Sequence, residues 1–208
     1  ASGVTALPES VDPLVITKKV FSGKAFAKVK ILTDSAVLTL AQNSYEIVET
    51  GGSATVETFD PGVDAAGAKT TIKDVQKQTG KLLLSDADVV VSGGRGLKSG
   101  DNWGPVEELA EVLGAATACS RPVSDEGWRP HDEHTGQTGK IIAPNLYIAA
   151  GISGAIQHLA GVSSSKCIVA INTDKDAPIF ESADYGIVGD ASKVLPELIQ
   201  AAKEMKAS

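Results

Sequence analysis

The sequence lacks the features that mark several large classes of protein. Its only cysteines, Cys119 and Cys167, lie far apart in two apolar runs, so neither a disulfide framework nor a CxxC motif is present. No apolar run approaches the roughly 20 residues of a membrane-spanning helix, and the first residues carry no charged-then-apolar signal pattern. These absences predict a soluble protein with buried free thiols, in a reducing compartment.

The charge of the chain disfavours further kinds of partner. Its 208 residues include 19 basic and 26 acidic side chains, a net charge of −7. We do not expect such a protein to bind nucleic acid or anionic membranes broadly, although an acidic surface suits docking to basic partners. With 42% hydrophobic residues the chain can bury a core, as one large domain or as a domain with a smaller piece. It begins at Ala1 without an initiator methionine, so we expect that a segment precedes it.

Residues 14–49 alternate apolar and polar side chains, most clearly at 25–32 and 36–40. This period of two predicts antiparallel hairpins, with turns at 22–24 and 33–35. Residues 50–81 are rich in Gly, Ala, Thr and charged side chains. They predict a connector with one short helix near 72–78.

From residue 81 onward, short apolar segments alternate with amphipathic ones. The apolar segments predict strands at 88–91, 115–119, 146–150, 166–171 and 185–188. The amphipathic segments predict helices at 106–113, which Gly114 ends, and at 155–160 and 194–206. Apolar strands that alternate with helices predict an α/β fold: a mainly parallel sheet with helices on both faces, preceded by the partial antiparallel β region.

The most informative motif follows the strand predicted at 146–150. It reads Gly-Ile-Ser-Gly-Ala-Ile-Gln-His and leads into helix-compatible sequence. Glycines allow a tight turn and close approach of a ligand to the backbone, and the free N–H groups of a helix N-terminus can hold a phosphate. The motif, residues 151–158, therefore predicts a site for a nucleotide cofactor.

Other polar or glycine-rich segments also follow predicted strands, namely 92–96, Ser120 with Arg121, Asn172, and Asp190. Because ligands bind at the carboxyl ends of parallel strands, we expect these segments to converge on one edge of the sheet. The spacing of Gly94-Arg95-Gly96 departs from the GxGxxG fingerprint of dinucleotide enzymes, and residues 151–154 lack the GxSxG spacing of hydrolases. Two alternatives stay open: an NAD(P)-dependent dehydrogenase, and a catalytically silent nucleotide-binding assembly module.

Three motifs in a fixed order closely resemble the alpha subunit of electron transfer flavoprotein. They are Ser92-Gly93-Gly94-Arg95-Gly96, Gly136-Gln137-Thr138-Gly139-Lys140 and the segment 151–158. The resemblance implies a Rossmann-like (DHS-like NAD/FAD-binding) domain over 81–208. It also implies that 1–80 are the last strands of a preceding domain and a linker, so that the edge of their sheet needs a partner or an upstream segment.

The resemblance implies FAD as the cofactor and assigns residues to it. Arg121, Thr138 and His158 would tune the flavin: the arginine lies against the ring, the threonine hydroxyl faces the N5 region, and the histidine faces the pyrimidine edge. Arg95 would contact the polar portion of the cofactor, whereas Asn172 and Asp190 would contact its adenosine side. The other implied contacts are Gly96, Ser120, Thr135, Gly136, Gln137, Gly151, Ser153, Gly154, Ala155, Ile156, Gln157 and Ala191.

The remaining charged residues receive no such role. His131 and His134 lie beside Asp132 and Glu133, where the composition favours a solvated loop over a metal site. No metal site is predicted elsewhere in the chain. Solvation of loops is also the role predicted for Asp125, Glu126, Asp174 and Asp176.

The resemblance implies an electron carrier that makes no bonds in a substrate. Such a protein takes electrons from flavin dehydrogenases, for example the acyl-CoA dehydrogenases of fatty acid β-oxidation, and passes them to a quinone oxidoreductase. It works as a heterodimer whose beta subunit carries AMP and completes the flavin site. The resemblance places it in the bacterial cytoplasm or the mitochondrial matrix, with no nucleic acid partner and no direct insertion into the membrane.

Overall fold

The computed structural model describes residues 1–21, 25–41, 43–45, 48–62, 67, 69–75 and 82–207. The chain divides by its contacts into two units, Ala1–Ser44 with Leu82–Ser208, and Tyr45–Lys81. In its described residues, the larger unit contains two sheets, one of three strands and one of five strands.

The smaller sheet is antiparallel. Its strands, in spatial order, are β1 (Ser10–Val11), β2 (Leu14–Val20) and β3 (Ala25–Lys30). Val20 lies opposite Ala25 where β2 leads towards β3, which confirms the predicted hairpin, and its predicted turn at 22–24 lies outside the described residues. Along β3, half-buried and exposed residues alternate, as expected for a strand with one covered face.

The strand predicted at 36–40 is wrong. The segment forms a single bridge, between Leu40 and Val4. Backbone hydrogen bonds from Val4 N to Thr39 O (2.9 Å) and from Ala41 N to Val4 O (2.8 Å) flank this bridge. Because Val37 is 82% exposed, its side chain has no packed surface to join, and the alternating pattern does not extend into a strand.

The helix predicted near 72–78 is wrong over its described part. Residues 72–75 are not helical, and 76–78 lie outside the described residues. Ile72 and Val75 are 81% and 64% exposed. Without tertiary packing of an apolar face, a helix this short is not stable in water.

The larger sheet has five strands, and its four strand pairings are all parallel. Its strands, in chain order, are β4 (Val89–Gly93), β5 (Ala116–Cys119), β6 (Leu146–Ala150), β7 (Ile168–Asn172) and β8 (Tyr185–Val188). The predicted parallel sheet is confirmed, with strand ends shifted by one or two residues.

Five α-helices follow or connect these strands. They are α1 (Gly104–Leu113), α2 (Arg121–Asp125), α3 (Ile156–Val162), α4 (Ile179–Ser182) and α5 (Ala191–Ala207). Gly114 ends α1 in the left-handed conformation, with φ of 67°, as the sequence predicts. The predicted helices at 106–113, 155–160 and 194–206 correspond to α1, α3 and α5.

The central strands alternate between two hydrophobic cores, one on each face of the sheet. Val90 and Tyr147 pack in one core, whereas their neighbours Val91 and Ile148 pack in the other, together with residues of α1 and α5. This alternation explains why the strands are apolar throughout, since both faces are covered. Cys119 is buried and Cys167 is half-buried, and both are free thiols.

The strand order positions a ligand site. In the order β5-β4-β6-β7-β8, the chain runs from β4 to one neighbour, β5, and then crosses to the other side of β4 to form β6. Such a reversal opens a crevice at the carboxyl ends of the two strands beside it. None of the helices in the described ranges has the length and hydropathy of a membrane span.

Candidate functional site

A cleft of about 730 Å³ lies at the carboxyl edge of the larger sheet. Segments that follow β4, β5, β6 and β7 form its walls, as predicted, whereas Asp190, which follows β8, does not line it. The volume lies in the range of sites for small molecules and cofactors. The lining residues predicted from the sequence are Arg95, Gly96, Ser120, Arg121, Thr135, Gly136, Gln137, Thr138, Gly151, Ser153, Ala155, Gln157, His158 and Asn172.

The floor of the cleft is backbone packed against backbone, at the reversal of strand order. Gly96 N donates to Gly151 O at 2.9 Å, and Gly94 N donates to Ala150 O at 2.8 Å. A Cβ on Gly96 would lie 2.7 Å from Gly151 Cα, too close for any side chain. Gly151 also has φ of +66°, a conformation that glycine adopts without strain. The two turns therefore leave a ligand in direct reach of main-chain atoms.

Arg121 begins α2 and spans one wall of the cleft. Its Nε donates to Asp125 Oδ2 at 3.2 Å, and its Nη1 donates to Thr138 Oγ1 at 3.0 Å. The Arg121 side chain remains 61% exposed, so the cation is accessible to a ligand. The hydrogen bond to Thr138 links two residues that the sequence assigned to the same function from separate motifs.

Arg95 supplies a second positive charge to the cleft. Its Nη1 lies 3.8 Å from Glu126 Oε1, and its side chain is 69% exposed. An exposed ion pair at this distance is weak. Arg95 is therefore free to exchange the carboxylate for an anionic ligand group.

The segment 134–138 is anchored on both sides. Thr135 N donates to Cys119 O at 3.0 Å, at the end of β5, and Gln137 N donates to Gln157 O at 2.7 Å, in α3. Gly136 has φ of +147°, and a Cβ on Gly161 would lie 2.5 Å from Gly136 Cα. The loop can approach α3 this closely only because both positions are glycine.

His158 lines the cleft but is 7% exposed. Its Nε2 lies 2.8 Å from the Tyr147 hydroxyl, and its Nδ1 is buried without a hydrogen-bond partner of standard geometry in the described part of the chain. Burial lowers the pKa of His158 to about 4; the Thr135 backbone opposes this shift, and the charge of His134 adds to it. The ring is therefore neutral at physiological pH.

His134 does not lie in a solvated loop, contrary to the expectation from its acidic neighbours. It is 2% exposed and lines the cleft, with its ring 5.3 Å from that of His131. Burial lowers its pKa, with the charges of His131 and Arg121 acting in the same direction. Over the ranges that the structure describes, no cluster of His, Cys, Asp or Glu could hold a metal ion.

The sequence also assigned Asp125 and Glu126 to solvated loops, and this is incomplete. Both are ion-paired with arginines of the cleft, and Asp125 lines it. The signal available in the sequence was the i, i+4 spacing of Arg121 and Asp125 on a helix. Pro122 and Ile152 are further lining residues that the sequence analysis missed.

Four predicted residues are not among those that line the cleft: Gly154, Ile156, Asp190 and Ala191. Gly154, with φ of +85°, packs against the backbone of Ile179, where a Cβ would lie 2.4 Å from Ile179 N. Asp190 accepts hydrogen bonds from Ser192 N (3.0 Å) and Oγ (2.8 Å) and lies 3.3 Å from Lys98 Nζ. These contacts lower the pKa of Asp190 to about 2, the hydrogen bonds from Ser192 being the largest cause.

Asn172 lies at the end of β7 and bridges two neighbouring segments. Its Nδ2 donates to Ile152 O at 2.9 Å, and its Oδ1 accepts from Asp174 N at 3.0 Å. The side chain thus holds the turn after β6 while it lines the cleft. An adenosine contact by Asn172 or Asp190 stays a prediction.

Most of the residues that form the cleft lie in a segment that matches a known protein family. Residues 83–163 match the family described as "Electron transfer flavoprotein FAD-binding domain". This range includes the turns after β4 and β6 and the whole segment 134–138.

The chain is also similar to named relatives over most of its length. It is 47% identical over 191 residues to electron transfer flavoprotein subunit alpha of Syntrophomonas wolfei, across 91% of this chain and 60% of the relative. It is 47% identical over 196 residues to the Bacillus subtilis subunit, across 92% and 59%. With the probable mitochondrial subunit of Caenorhabditis elegans it shares 48% over 189 residues, across 89% and 56%.

The chain spans about three fifths of the length of these relatives. The resemblance noted from three short motifs therefore extends well beyond them, into the small antiparallel sheet that precedes the cleft-bearing sheet. The chain is thus similar to the alpha subunits of electron transfer flavoproteins over most of its own length, and residues 83–163 match the FAD-binding domain of that family.

Proposed function

We propose that the cleft at the carboxyl edge of the larger sheet binds FAD and that the chain acts as an electron carrier. The observation that carries this proposal is the pairing of two accessible arginines with a floor where the backbones of Gly96 and Gly151 are in contact. A dinucleotide has an anionic pyrophosphate and flat ring systems, so it suits both parts of such a cleft.

The residues present fit this cofactor. The absence of side chains at Gly96 and Gly151 leaves main-chain atoms within reach, and Ser120, Gln137 and Ser153 add polar groups to the walls. Arg95 and Arg121 would hold the negatively charged groups. We propose residues 81–208 as the FAD-binding domain, with 1–80 as the end of a preceding domain and its linker.

When bound, FAD supplies reversible electron transfer. The chain's own residues would bind it, exclude water and set its potential. Arg121 is a fixed cation that favours added negative charge nearby, whereas Asp125 beside it partly offsets that charge. His158 is neutral, so it can act as a hydrogen-bond donor but not as a second cation.

We infer that the whole protein accepts electrons from flavin dehydrogenases, such as those that oxidise acyl-CoA, and delivers them to a quinone-linked acceptor. The names of the relatives, all called subunit alpha, support a beta subunit as partner. We propose that this subunit carries AMP and completes the flavin site. No bond chemistry on a substrate is assigned to the chain.

The test is identification of the cofactor. The chain should be purified together with its beta-type partner, denatured, and the released small molecules separated by chromatography. FAD in stoichiometric amount supports the proposal. NAD, or no nucleotide after supplementation with FAD, would contradict it and would favour the dehydrogenase or the assembly module.

A further inference from the structure

A buried polar pair lies behind the cleft wall, and the proposed function assigns no role to one of its members. The Tyr147 hydroxyl lies 2.8 Å from His158 Nε2. Tyr147 is fully buried in β6, where phenylalanine would fill the same space without a polar atom. Since a buried hydroxyl is costly unless it is hydrogen-bonded, this contact with His158 is what makes tyrosine tolerable there.

The direction of the hydrogen bond follows from the acceptors within reach of the phenol. Ser92 and Thr135 are both buried beside Tyr147, and burial raises the pKa of Tyr147 while their hydroxyls oppose that shift. Hydroxyls lower the pKa of a phenol when they donate to its oxygen, and the hydrogen bond of standard geometry that the Tyr147 hydroxyl makes over the described residues is the 2.8 Å contact with His158 Nε2. His158 Nε2 is thus the acceptor that the Tyr147 O–H reaches.

An accepting Nε2 determines where His158 carries its proton. A neutral imidazole has one N–H, so if Nε2 presents its lone pair to Tyr147, the proton lies on Nδ1. Nδ1 is buried. The Thr135 backbone is near enough to oppose the lowering of the ring's pKa, but Nδ1 makes no hydrogen bond of standard geometry in the described part of the chain. The protein thus holds an N–H at the cleft wall whose hydrogen bonding it satisfies only in part.

We propose that Tyr147 is a positioning residue for His158, which it holds in the Nδ1–H tautomer so that the histidine offers a donor rather than a lone pair to a molecule in the cleft. The consequence for electron transfer rests on the proposed function. A donor stabilises negative charge on a bound flavin, whereas a lone pair at the same place repels it. The tautomer itself does not depend on the identity of the ligand.

The first test reads the tautomer directly, because ring protons are not located by heavy-atom geometry. The chain is labelled with ¹⁵N-histidine and studied without flavin, with its partner subunit unlabelled, by long-range ¹H–¹⁵N correlation at neutral pH. The sequence has three histidines, so loss of one pattern in His158→Ala assigns the signal. A neutral ring protonated at Nδ1 is expected. A ring protonated at Nε2, or a charged ring, would overturn the proposal whether or not the protein binds FAD.

The second test separates positioning from packing. Tyr147→Phe should move the His158 signal away from the Nδ1–H pattern, whereas Tyr185→Phe, which removes an exposed hydroxyl in β8, should leave it unchanged. In the FAD-loaded complex, Tyr147→Phe should shift the flavin potential in the same direction as His158→Ala. Added to His158→Ala, it should cause no further shift. If Tyr147→Phe shifts the flavin potential equally in the wild type and in His158→Ala, Tyr147 does not act through His158. If Tyr147→Phe does not fold, the ¹H–¹⁵N spectrum of the wild type decides whether the proposed tautomer is present.

Discussion

Removing Arg121 and removing Asp125, the two members of one charge pair, should shift the redox potential of bound flavin in opposite directions. Arg121→Gln removes a cation from the cleft wall and should lower the potential of bound flavin, since the reduced form gains negative charge. Asp125→Asn removes the carboxylate 3.2 Å from the same guanidinium and should raise the potential. Asp125→Asn is isosteric, whereas Arg121→Gln shortens the side chain and also removes the hydrogen bond to Thr138; loss of a charge is the change that the two variants share.

The expected size of these shifts in potential depends on how exposed the two charged side chains are. Hydrogen bonds to charged groups are worth roughly 1.5–3 kcal/mol, but the side chains of Arg121 and Asp125 are 61% and 57% exposed, so solvent screens them. We therefore expect an effect below this range for Arg121→Gln, about 1 kcal/mol, which is about 40 mV for a one-electron couple. Asp125→Asn should shift the potential by less, because the carboxylate acts on the flavin partly through the arginine.

The assay is redox titration of the FAD-loaded complex, followed by absorbance, for wild type and both variants. Lys203→Gln, which removes a cation paired with Glu108 on the α1–α5 side, is the matched control and should leave the potential unchanged. Raising the salt concentration should shrink both shifts. An unchanged potential in fully loaded Arg121→Gln, or shifts of the same sign in the two variants, would refute the reasoning.

Three further predictions concern the fold around the cleft. Gly96→Ala should destabilise the protein by about 1–3 kcal/mol in urea unfolding, because its Cβ would lie 2.7 Å from Gly151 Cα, whereas Gly104→Ala, with nothing within 4 Å of the new Cβ, should not. The depressed pKa of Asp190 stabilises the fold above the unfolded value of 3.8, and this contribution is lost as the pH falls towards about 2. Asp190→Asn should therefore flatten the acid limb of a stability–pH curve, and an unchanged limb would contradict it. Burial raises the pKa of Cys119 to about 12, so in the native protein a thiol reagent should label the half-buried Cys167 first; equal labelling rates in Cys119→Ser and Cys167→Ser variants would disprove this.

The parallel sheet and its cleft could be predicted because local pattern and tertiary structure agree there. Each strand from β4 to β7 is buried on both faces, so its apolar run is unambiguous, and Gly114 ends α1 as its position suggests. The strand expected at 36–40 fails for the opposite reason. An alternating pattern indicates that one face of a segment is apolar, but a stable strand also needs another surface that packs on that face. Val37 remains exposed, so its apolar face is not covered in this way.

The burial of His134 could not be predicted from its neighbours in sequence. Two acidic residues beside it indicated solvent, but Arg129 donates to both carboxylate oxygens of Glu133, at 2.8 and 2.7 Å, and to Glu107 at 2.8 Å. Its guanidinium also lies 5.4 Å from the centroid of the Trp103 ring. With Glu133 paired in this way, the following residues can enter the interior. The partner Glu107 is 22 residues from Arg129 in sequence, beyond the range of local patterns.

The short helix α2 carries or adjoins most of the charged residues that pair at the cleft. Arg121 and Asp125 lie on α2, and Glu126, which follows it directly, lies 3.8 Å from Arg95 on the loop after β4. Exposed pairs of this kind contribute little to stability, so their place at the cleft has more effect on a bound anion than on the fold. A change in α2 would therefore alter the surroundings of both arginines at once. Substitutions in the glycine turns would instead alter how closely a ligand can approach the backbone, and the two kinds of variant should separate the tuning of the cofactor from its binding.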